Sequence, residues 1–300
     1  MAGTGTGTTA RRRRVVLATD QVGRSMDADL PALVAALQER GTDAVAVDWD
    51  DPEHPWSAAD AVVVRSTWGY TRRLAEFLAW ADRVAAVTAL HNPAGVVRWN
   101  SDKRYLEELV ARDVPTVPTR FIAPGDPVSL PSSGGFVVKP SVSAGARDSA
   151  RYTQEQRPAA EAHVRSLQAG GQSAMVQPYM ERIVEGERAL VFVGGEFSHG
   201  VRKGPVLTDT GRVDNGRTPH PDLVEHVPDT AELAVARAAL SAAYGASGSA
   251  GAPLLYARVD LALDRGGSPV VMELELIEPN LFLTRTEGGL RRFADAVGRL

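Results

Sequence analysis

The sequence contains no cysteine, which excludes disulfides, thiolate metal sites and cysteine nucleophiles. It also lacks an apolar run of the roughly 18 residues that cross a membrane, and the stretch VVLA after the early arginines is too short for a signal peptide. The net charge of −4 argues against a nucleic-acid partner. We therefore expect a cytoplasmic protein that acts on a small molecule, without nucleic-acid or membrane partners.

The chain has 300 residues, 44% of them apolar, which is typical of a globular protein with two or three domains. Composition changes predict a basic tail over 1–14, with 1–10 disordered, and three further units over 15–100, 101–180 and 181–300. The four arginines that end the tail are interpreted as a solvated lead-in to the first strand. Binding of an acidic partner by Arg11–Arg14 is the alternative.

Strand and helix patterns alternate through the first hundred residues, which predicts a parallel α/β sheet. The strands are VVLATD, AVAVDW, AVVVRSTW and TALHNP. A first helix is predicted near DLPALVAALQER, with Asp27 or Asp29 as N-cap, Pro31 in its first turn and Gly41 beyond its end. A second helix is predicted from about Thr71 to Ala86.

Ligands of open α/β sheets bind at the carboxyl ends of the strands, which here means the end of VVLATD and the loop RSTWGY. The arginine of that loop can pair with a carboxylate, its hydroxyls can donate hydrogen bonds, and its aromatic rings can wall a small pocket. Buried aromatics at a strand end are the structural alternative. The substrate-binding candidates are Asp20, Arg65, Ser66, Thr67, Trp68 and Tyr70.

The second part of the chain mixes helices with antiparallel hairpins, so the overall class is α/β with α+β character towards the C-terminus. A helix SDKRYLEELVARD, a proline-rich connection and the strand FVVKP come first. A helix ending near Leu167, the strand AMVQPYM and the hairpin ERALVFVGGEFSHGVRK follow. Residues 204–228 lack periodicity and are predicted to be a mobile loop. A helix AELAVARAALSAAYGA and an acidic hairpin are expected to complete the fold.

That hairpin carries the most informative stretch, VVMELEL. Strand alternation puts Glu273 and Glu275 on one face, roughly 7 Å apart, while the apolar residues between them face a core. The partner strand YARVDLAL adds Asp260 and Arg258. Because Mg²⁺ prefers oxygen ligands and substrate phosphates, the three carboxylates predict a magnesium site. A half-exposed acidic strand is the alternative.

A second constellation follows the strand FVVKP, where Lys139 precedes a loop of small residues. Serine, alanine and glycine allow backbone N–H groups to approach phosphate oxygens, and Arg147 closes the loop as a candidate anion donor. Neither a P-loop nor a dinucleotide-binding fingerprint is present. A solvated lysine beside an ordinary loop is the structural alternative.

Taken in their order along the chain, these motifs resemble those of the ATP-grasp superfamily over about residues 100–300. The resemblance implies ATP with two Mg²⁺ ions, a central lid subdomain over 101–180 and a C-terminal subdomain with the metal site. It implies a phosphate-binding lysine in NSDKR, a second in VVKP ahead of a phosphate-covering loop, an adenine-binding hinge in QPYM, and an acidic ribose ligand after it. The implied ATP-binding residues are Lys103, Lys139, Ser141, Ser143, Gly145, Ala146, Arg147, Gln177, Pro178, Tyr179, Met180 and either Glu185, which is better placed, or Glu187.

The resemblance also implies a basic residue near the phosphates, for which Arg202 or Lys203 in VRK is the candidate, and metal-binding carboxylates. The superfamily pattern for the metal is Asp followed by Glu-x-Asn, and Asp260 precedes Glu273 by 13 positions. Glu275 replaces the asparagine, so a rival alignment uses Glu278 and Asn280 of EPN. Spacing favours Asp260, Glu273 and Glu275, with Arg258 placed to stabilise the transferred phosphoryl group.

Within the superfamily, RSTWGY, VVKPSVSAGAR and MELELIEP are most similar to the ATP-grasp cyclases of D-cycloserine biosynthesis. That resemblance implies O-ureido-D-serine as the substrate, phosphorylation of its carboxylate, and attack by an internal nitrogen to close a ring, with loss of CO₂ and NH₃. Two alternatives remain open on the sequence. The first is an intermolecular ligase that joins an amino-acid carboxylate to an amine, and the second is a non-catalytic ATP-binding regulatory module.

Overall fold

The computed structural model describes residues 11–213, 222–246 and 253–300. Its helices are α1 (Gln21–Met26), α2 (Asp29–Glu39), α3 (Leu74–Ala85), α4 (Ala94–Asn100), α5 (Tyr105–Val110), α6 (Arg157–Ala169), α7 (Thr230–Ala246) and α8 (Gly289–Gly298). Its strands are β1 (Arg14–Thr19), β2 (Asp43–Asp48), β3 (Ala61–Val64), β4 (Ala89–His91), β5 (Arg120–Ile122), β6 (Phe136–Pro140), β7 (Ala150–Tyr152), β8 (Ala174–Pro178), β9 (Glu187–Val193), β10 (Glu196–Lys203), β11 (Val224–His226), β12 (Tyr256–Leu263) and β13 (Pro269–Glu275).

The N-terminal sheet has the order β2-β1-β3-β4, and its strands are all parallel, as the alternating pattern predicts. Strand alternation sends Val15 and Leu17 of β1 into one core and Val16 into another. The first core is shared with α2 and α8, and the second with α3, whose Phe77 and Trp80 are fully buried. Helices therefore cover both faces of this sheet.

The boundaries of the first helices differ from the prediction. The N-cap of α2 is Ala28, without a side-chain cap, because Asp29 instead accepts hydrogen bonds from the backbone N–H groups of Leu283 and Thr284. The short helix α1, which the sequence analysis missed, is capped by Asp20. Helix α3 begins at Leu74 rather than Thr71, since Tyr70–Arg72 form a 3₁₀ turn.

Strand β1 starts at Arg14, one residue inside the predicted basic tail, and the Arg11 guanidinium pairs with Asp60. The predicted disorder of residues 1–10 lies outside the described residues. Within the described ranges, none of the helices combines the length and apolar character needed to cross a membrane.

The other two sheets are antiparallel. The central sheet has the order β5-β8-β6-β7, with α6 packed on it through a core that includes Phe136, Tyr152 and Val164. The C-terminal sheet has the order β11-β10-β9-β12-β13, and α7 packs on its β12 and β13 strands. The predicted loop over 204–228 contains β11, while residues 214–221 lie outside the described ranges. The fold also continues beyond the acidic hairpin into α8, which packs on the N-terminal domain.

Candidate active site

A cavity of about 310 Å³ lies where parts of all three sheets meet. Its wall joins the acidic hairpin, both predicted lysines, the QPYM hinge and two aromatic residues of the RSTWGY loop. The predicted residues in the wall are Trp68, Tyr70, Lys103, Lys139, Ser143, Gly145, Ala146, Gln177, Pro178, Tyr179, Met180, Glu187, Lys203, Arg258, Asp260, Glu273 and Glu275.

Strand pairing brings the three predicted metal-binding carboxylates together. Asp260 of β12 lies opposite Glu273 of β13, and Arg258 lies opposite Glu275. Because alternate residues of β13 point the same way, both glutamates face the cavity while Leu274 is buried in the core. One ligand oxygen from each carboxylate lies within 4.8 Å of the others.

Cationic side chains surround this acidic cluster. The Arg258 guanidinium donates to both oxygens of Asp260, each at 2.8 Å, and to Glu275 at 2.5 Å. Lys203 Nζ lies 2.8 Å from Asp260 and 2.5 Å from Glu187, whereas Lys139 Nζ lies 2.7 Å from Glu273. The wall thus places positive charge within hydrogen-bonding distance of each of these acids.

The pKa shifts follow from burial competing with these cations. Burial alone would raise the pKa of Asp260, but Arg258 and Lys203 outweigh burial and hold that pKa well below its usual range. Burial is likewise outweighed at Glu273, where Lys139 and Lys103 lower the pKa to about 2. At Glu275 burial prevails over Arg258 and raises the pKa. At least Asp260 and Glu273 are therefore anionic at neutral pH.

The residues present fit a magnesium site. Three carboxylates converge in a partly buried wall, and hard oxygen donors are the ligands that Mg²⁺ takes in phosphate-transfer sites. Glu278 and Asn280, the rival pair, line the same cavity, but Glu278 lies outside the group of three converging carboxylates. The structure therefore gathers the set that spacing favours.

The small-residue loop wraps one of the two lysines. Lys103 Nζ donates to the Ser143 carbonyl at 2.8 Å and to its hydroxyl at 3.2 Å. Gly145 and Ala146 both have positive φ angles, of 66° and 58°, which turn the backbone of the loop sharply beside the cavity. Ser141 and Arg147 lie outside the cavity wall, and the Ser141 carbonyl instead accepts from the Lys103 N–H at 2.9 Å.

The predicted hinge lines the cavity through all four of its residues. The Gln177 amide donates to Thr119 at 2.9 Å, and the Tyr179 N–H donates to the Gly135 carbonyl at 2.8 Å. Of the two candidate ribose ligands, Glu187 faces the cavity, where burial raises its pKa to about 7. Glu185 lies outside the wall and pairs with Arg182 at 2.6 Å. The structure reverses the order of preference that the sequence analysis gave them.

Strand alternation also separates the two basic candidates of VRK. Lys203 is buried in the cavity wall, whereas Arg202, its neighbour on β10, is exposed and lies outside the wall. Successive side chains of a strand point to opposite faces, and on β10 only the Lys203 face meets the cavity. Of the two candidates, Lys203 therefore lines the cavity and Arg202 does not.

The RSTWGY loop contributes less to the cavity than predicted. Trp68 and Tyr70 reach the wall, but Arg65 is 1% exposed, lies 3.7 Å from Asp27 and donates to the Pro279 carbonyl at 3.5 Å. The other polar candidates are buried and lie outside the wall, and the side chains of Asp20 and Ser66 brace the loop. Ser66 bonds to Thr19 at 3.0 Å, Asp20 accepts from Gly23 and Gly69 N–H groups at 2.6 and 2.5 Å, and Thr67 is fully buried.

The sequence analysis missed most of the apolar wall. These residues come from α1, from the 3₁₀ turn before β9, from the segment after β10, from β13 and from the chain after it, and none carries a charged or hydrogen-bonding side chain. Their apolar character alone could not separate them from ordinary core residues. They include Met26, Ile183, Pro205, Val206, Leu207, Leu223, Met272 and Phe282.

Comparison with known proteins identifies the family. Over 294 residues the chain is 40% identical to the cycloserine biosynthesis protein DcsG of Streptomyces lavendulae, with 94% of this chain and 97% of that protein covered. The chain belongs to the DcsG family. A family model of the D-cycloserine synthetase DcsG N-terminal domain also matches residues 15–92 of this DcsG-family protein.

Solved structures agree with this assignment. The crystal structure of D-cycloserine synthetase DcsG superposes with a TM-score of 0.88 at 39% identity, covering 95% of this chain and 99% of that one. The D-alanine–D-alanine ligase of Bacillus anthracis complexed with ATP has a TM-score of 0.61 at 15% identity, covering 96% and 92%, and shows the shared fold. The ATP-grasp fold is thereby confirmed, and this DcsG-family protein is an ATP-dependent ligase.

Proposed function

We propose that this protein is an ATP-dependent cyclo-ligase that converts O-ureido-D-serine to D-cycloserine. The observation that carries the proposal is a single cavity in which the acidic cluster and its cations lie beside an aromatic wall formed by Trp68 and Tyr70. Identity of 40% to a cycloserine biosynthesis protein supports the substrate class. A ring-closing enzyme needs one small substrate pocket, because the nucleophile and the carboxylate belong to the same molecule.

The first step forms an acyl phosphate. A carboxylate oxygen of the substrate bonds to the γ-phosphorus of ATP, the bond to the β,γ-bridging oxygen breaks, and ADP leaves. Lys103 and Lys139 bind the phosphates, and Arg258 stabilises the charge that develops on the transferred group. Asp260, Glu273 and Glu275 would hold one or two Mg²⁺ ions, which would further neutralise the phosphate charge.

The second step closes the ring. The nitrogen bonded to the side-chain oxygen attacks the activated carbonyl carbon, and inorganic phosphate leaves with one oxygen of the original carboxylate. The nitrogen loses its proton, and the carbamoyl group that it carries is released as CO₂ and NH₃ with consumption of one water. Substrate, ATP and water thus give cycloserine, CO₂, NH₃, ADP and phosphate in balance.

An acyl phosphate must be kept from water until the ring closes. The loop around Gly145 and the segment after β10, with Pro205 and Leu207, both contribute to the wall. Thr210 of that segment pairs with Arg151 of the central sheet, so the segment spans from one antiparallel sheet to the other. We assign these two segments the role of covering the nucleotide and the intermediate.

The proposal is tested by incubating the purified protein with Mg-ATP and O-ureido-D-serine, its L-isomer, or a panel of D- and L-amino acids. ADP release and product masses are recorded. We expect ADP and cycloserine in equal amounts from O-ureido-D-serine. ADP accompanied by a condensed product from the panel would contradict ring closure and establish an intermolecular ligase, and nucleotide binding without turnover of any compound would indicate a regulatory module.

A further inference from the structure

Glu278 lies in the cavity wall three residues beyond Glu275 but outside the converging carboxylates. The backbone that carries it is held at three successive carbonyls. Trp68 Nε1 donates to the Glu278 carbonyl at 2.9 Å, Arg65 to that of Pro279 at 3.5 Å, and Arg258 to that of Asn280 at 2.9 Å. This segment is therefore a fixed part of the wall that joins the N-terminal domain to the acidic hairpin.

The surroundings of Glu278 differ from those of the acidic cluster. Trp68 and Tyr70, both from outside the hairpin, supply an aromatic wall on the side of the cavity formed by the N-terminal domain. Burial raises the pKa of Tyr70, and the Glu278 carboxylate contributes more to that rise than any other charge. The negative charge of Glu278 thus acts at this aromatic end.

We propose that the Glu278 carboxylate binds the α-ammonium group of an amino-acid substrate, an inference that rests on the proposed function. A substrate whose carboxylate lies at Arg258 and the acidic cluster carries its ammonium group on the adjacent carbon. An ammonium group against apolar side chains needs an opposing charge, because burial of an unpaired charge is strongly unfavourable. The lysines of the cavity and Arg258 would repel the ammonium group, whereas the Glu278 carboxylate supplies the negative charge that it needs.

The test compares two substrates and three proteins. O-ureido-D-serine and its analogue without the α-amino group are assayed for kcat/KM of ADP release with the wild-type enzyme, Glu278→Gln and Glu287→Gln. Glutamine preserves the size of the side chain and the backbone contact to Trp68. Glu287 is exposed and lies outside the cavity wall, so its variant controls for loss of one negative charge in the same part of the chain.

We expect the wild-type enzyme and Glu287→Gln to favour the amino-bearing compound by about ten- to one-hundredfold, the range expected of a hydrogen bond to a charged group. In Glu278→Gln the ratio of kcat/KM for the two compounds should fall to about threefold or less. The KM for ATP and the Mg²⁺ requirement should be unchanged. Retention of the wild-type preference by Glu278→Gln would overturn the inference. A raised Mg²⁺ requirement in that variant would also overturn it, since Glu278 would then bind metal.

Calorimetric binding of the same two compounds, with Mg²⁺ and a non-hydrolysable ATP analogue, gives the preference without turnover. Product mass separately tests ring closure. If another amino acid proves to be the substrate, the preference is measured with that amino acid and its deaminated analogue. A linear product with an intact preference for the amino group would contradict ring closure and support the ammonium site. Cycloserine formation without that preference would support ring closure and contradict the ammonium site.

Discussion

Lys203 and Arg202 are adjacent on β10 but face opposite sides of the strand. Lys203 is 2% exposed and bonds to two acids of the cavity, whereas Arg202 is exposed. We expect Lys203→Met to lower kcat by at least about a hundredfold, because a preorganised positive charge near the transferred phosphoryl group is lost. Arg202→Met should keep kcat within about twofold of the wild-type value.

Steady-state ADP release measures both variants, and circular dichroism verifies that each is folded. Loss of Lys203 also leaves Asp260 and Glu187 short of a buried partner, so this variant should melt at a lower temperature. Equal losses of activity in the two variants would show that the orientation of β10 differs from that described above.

Glu273 makes the acid stability of the protein testable at a single residue. Its pKa is lowered to about 2, because Lys139 and Lys103 outweigh burial. A carboxyl group with a depressed folded-state pKa stabilises the protein fully above its unfolded pKa of about 4.3, and that contribution is lost as pH falls through 2. Glu273→Gln removes the contribution and, through loss of the metal site, should also abolish ADP formation.

Melting temperatures of the wild-type protein and of Glu273→Gln, measured from pH 7 to pH 2.5, give the comparison. We expect the wild-type protein to be the more stable near pH 7 and the difference to shrink below about pH 4.5. Parallel curves over the whole range would contradict the depressed pKa. Retained turnover by the variant would refute the metal assignment.

At the scale of elements, the start of α2 is joined to the chain segment that precedes α8. The Asp29 carboxylate accepts from the Leu283 N–H at 2.7 Å, from the Thr284 N–H at 3.0 Å and from the Thr284 hydroxyl at 2.6 Å. We expect Asp29→Ala to reduce the free energy of unfolding by about 3 kcal/mol, because buried N–H groups lose a charged acceptor. Asp43→Ala, at the exposed start of β2, should change it by less than about 0.5 kcal/mol.

Urea unfolding with tryptophan fluorescence measures both free energies, and an equal, small effect of the two substitutions would contradict a linking role for Asp29. The Asp29 contacts also show a limit of sequence interpretation. An aspartate near the start of an amphipathic pattern is typical of an N-cap. Its true partners lie more than 250 positions away in the chain, and local spacing carries no information about them.

Elements with strong periodicity were predictable, and short or distant ones were not. The strands of the N-terminal sheet and the shared face of Glu273 and Glu275 were predictable from the sequence. Successive side chains of a strand point to opposite faces, and burial of a face makes its residues apolar, so the pattern is visible along the chain. Strands β5 and β7 have three residues each, too few for a period to be visible. Helix α8 forms part of the N-terminal core although it ends the chain, so no continuous pattern indicates where it packs.

Within the candidate site, the motifs that carry charge were found and the contacts that orient them were not. The resemblance placed both lysines and the hinge in the cavity wall, since their order along the chain follows that of the superfamily. It could not distinguish Glu187 from Glu185, which depends on the 3₁₀ turn before β9. In the RSTWGY loop the burial of Arg65 against Asp27 was not predictable, because a buried arginine and a ligand-binding arginine look alike in sequence.

At the scale of the whole molecule, the cavity is assembled from all three sheets, and each supplies a different part of the wall. The central sheet contributes Lys139 and the hinge, the C-terminal sheet contributes the acidic cluster, and the N-terminal domain contributes the aromatic wall. The backbone of residues 278–280 connects the last two of these. The proposed substrate pocket is therefore built from parts of the chain that are distant in sequence.

The central claim is that ATP activates the substrate carboxylate before an internal nitrogen closes the ring. The most direct measurement uses O-ureido-D-serine labelled with ¹⁸O in both carboxylate oxygens, with mass spectrometry of the phosphate and the organic product. We predict one ¹⁸O in the released phosphate and one in the carbonyl of cycloserine. Unlabelled phosphate, or label in the phosphate beside a linear condensed product, would contradict the account.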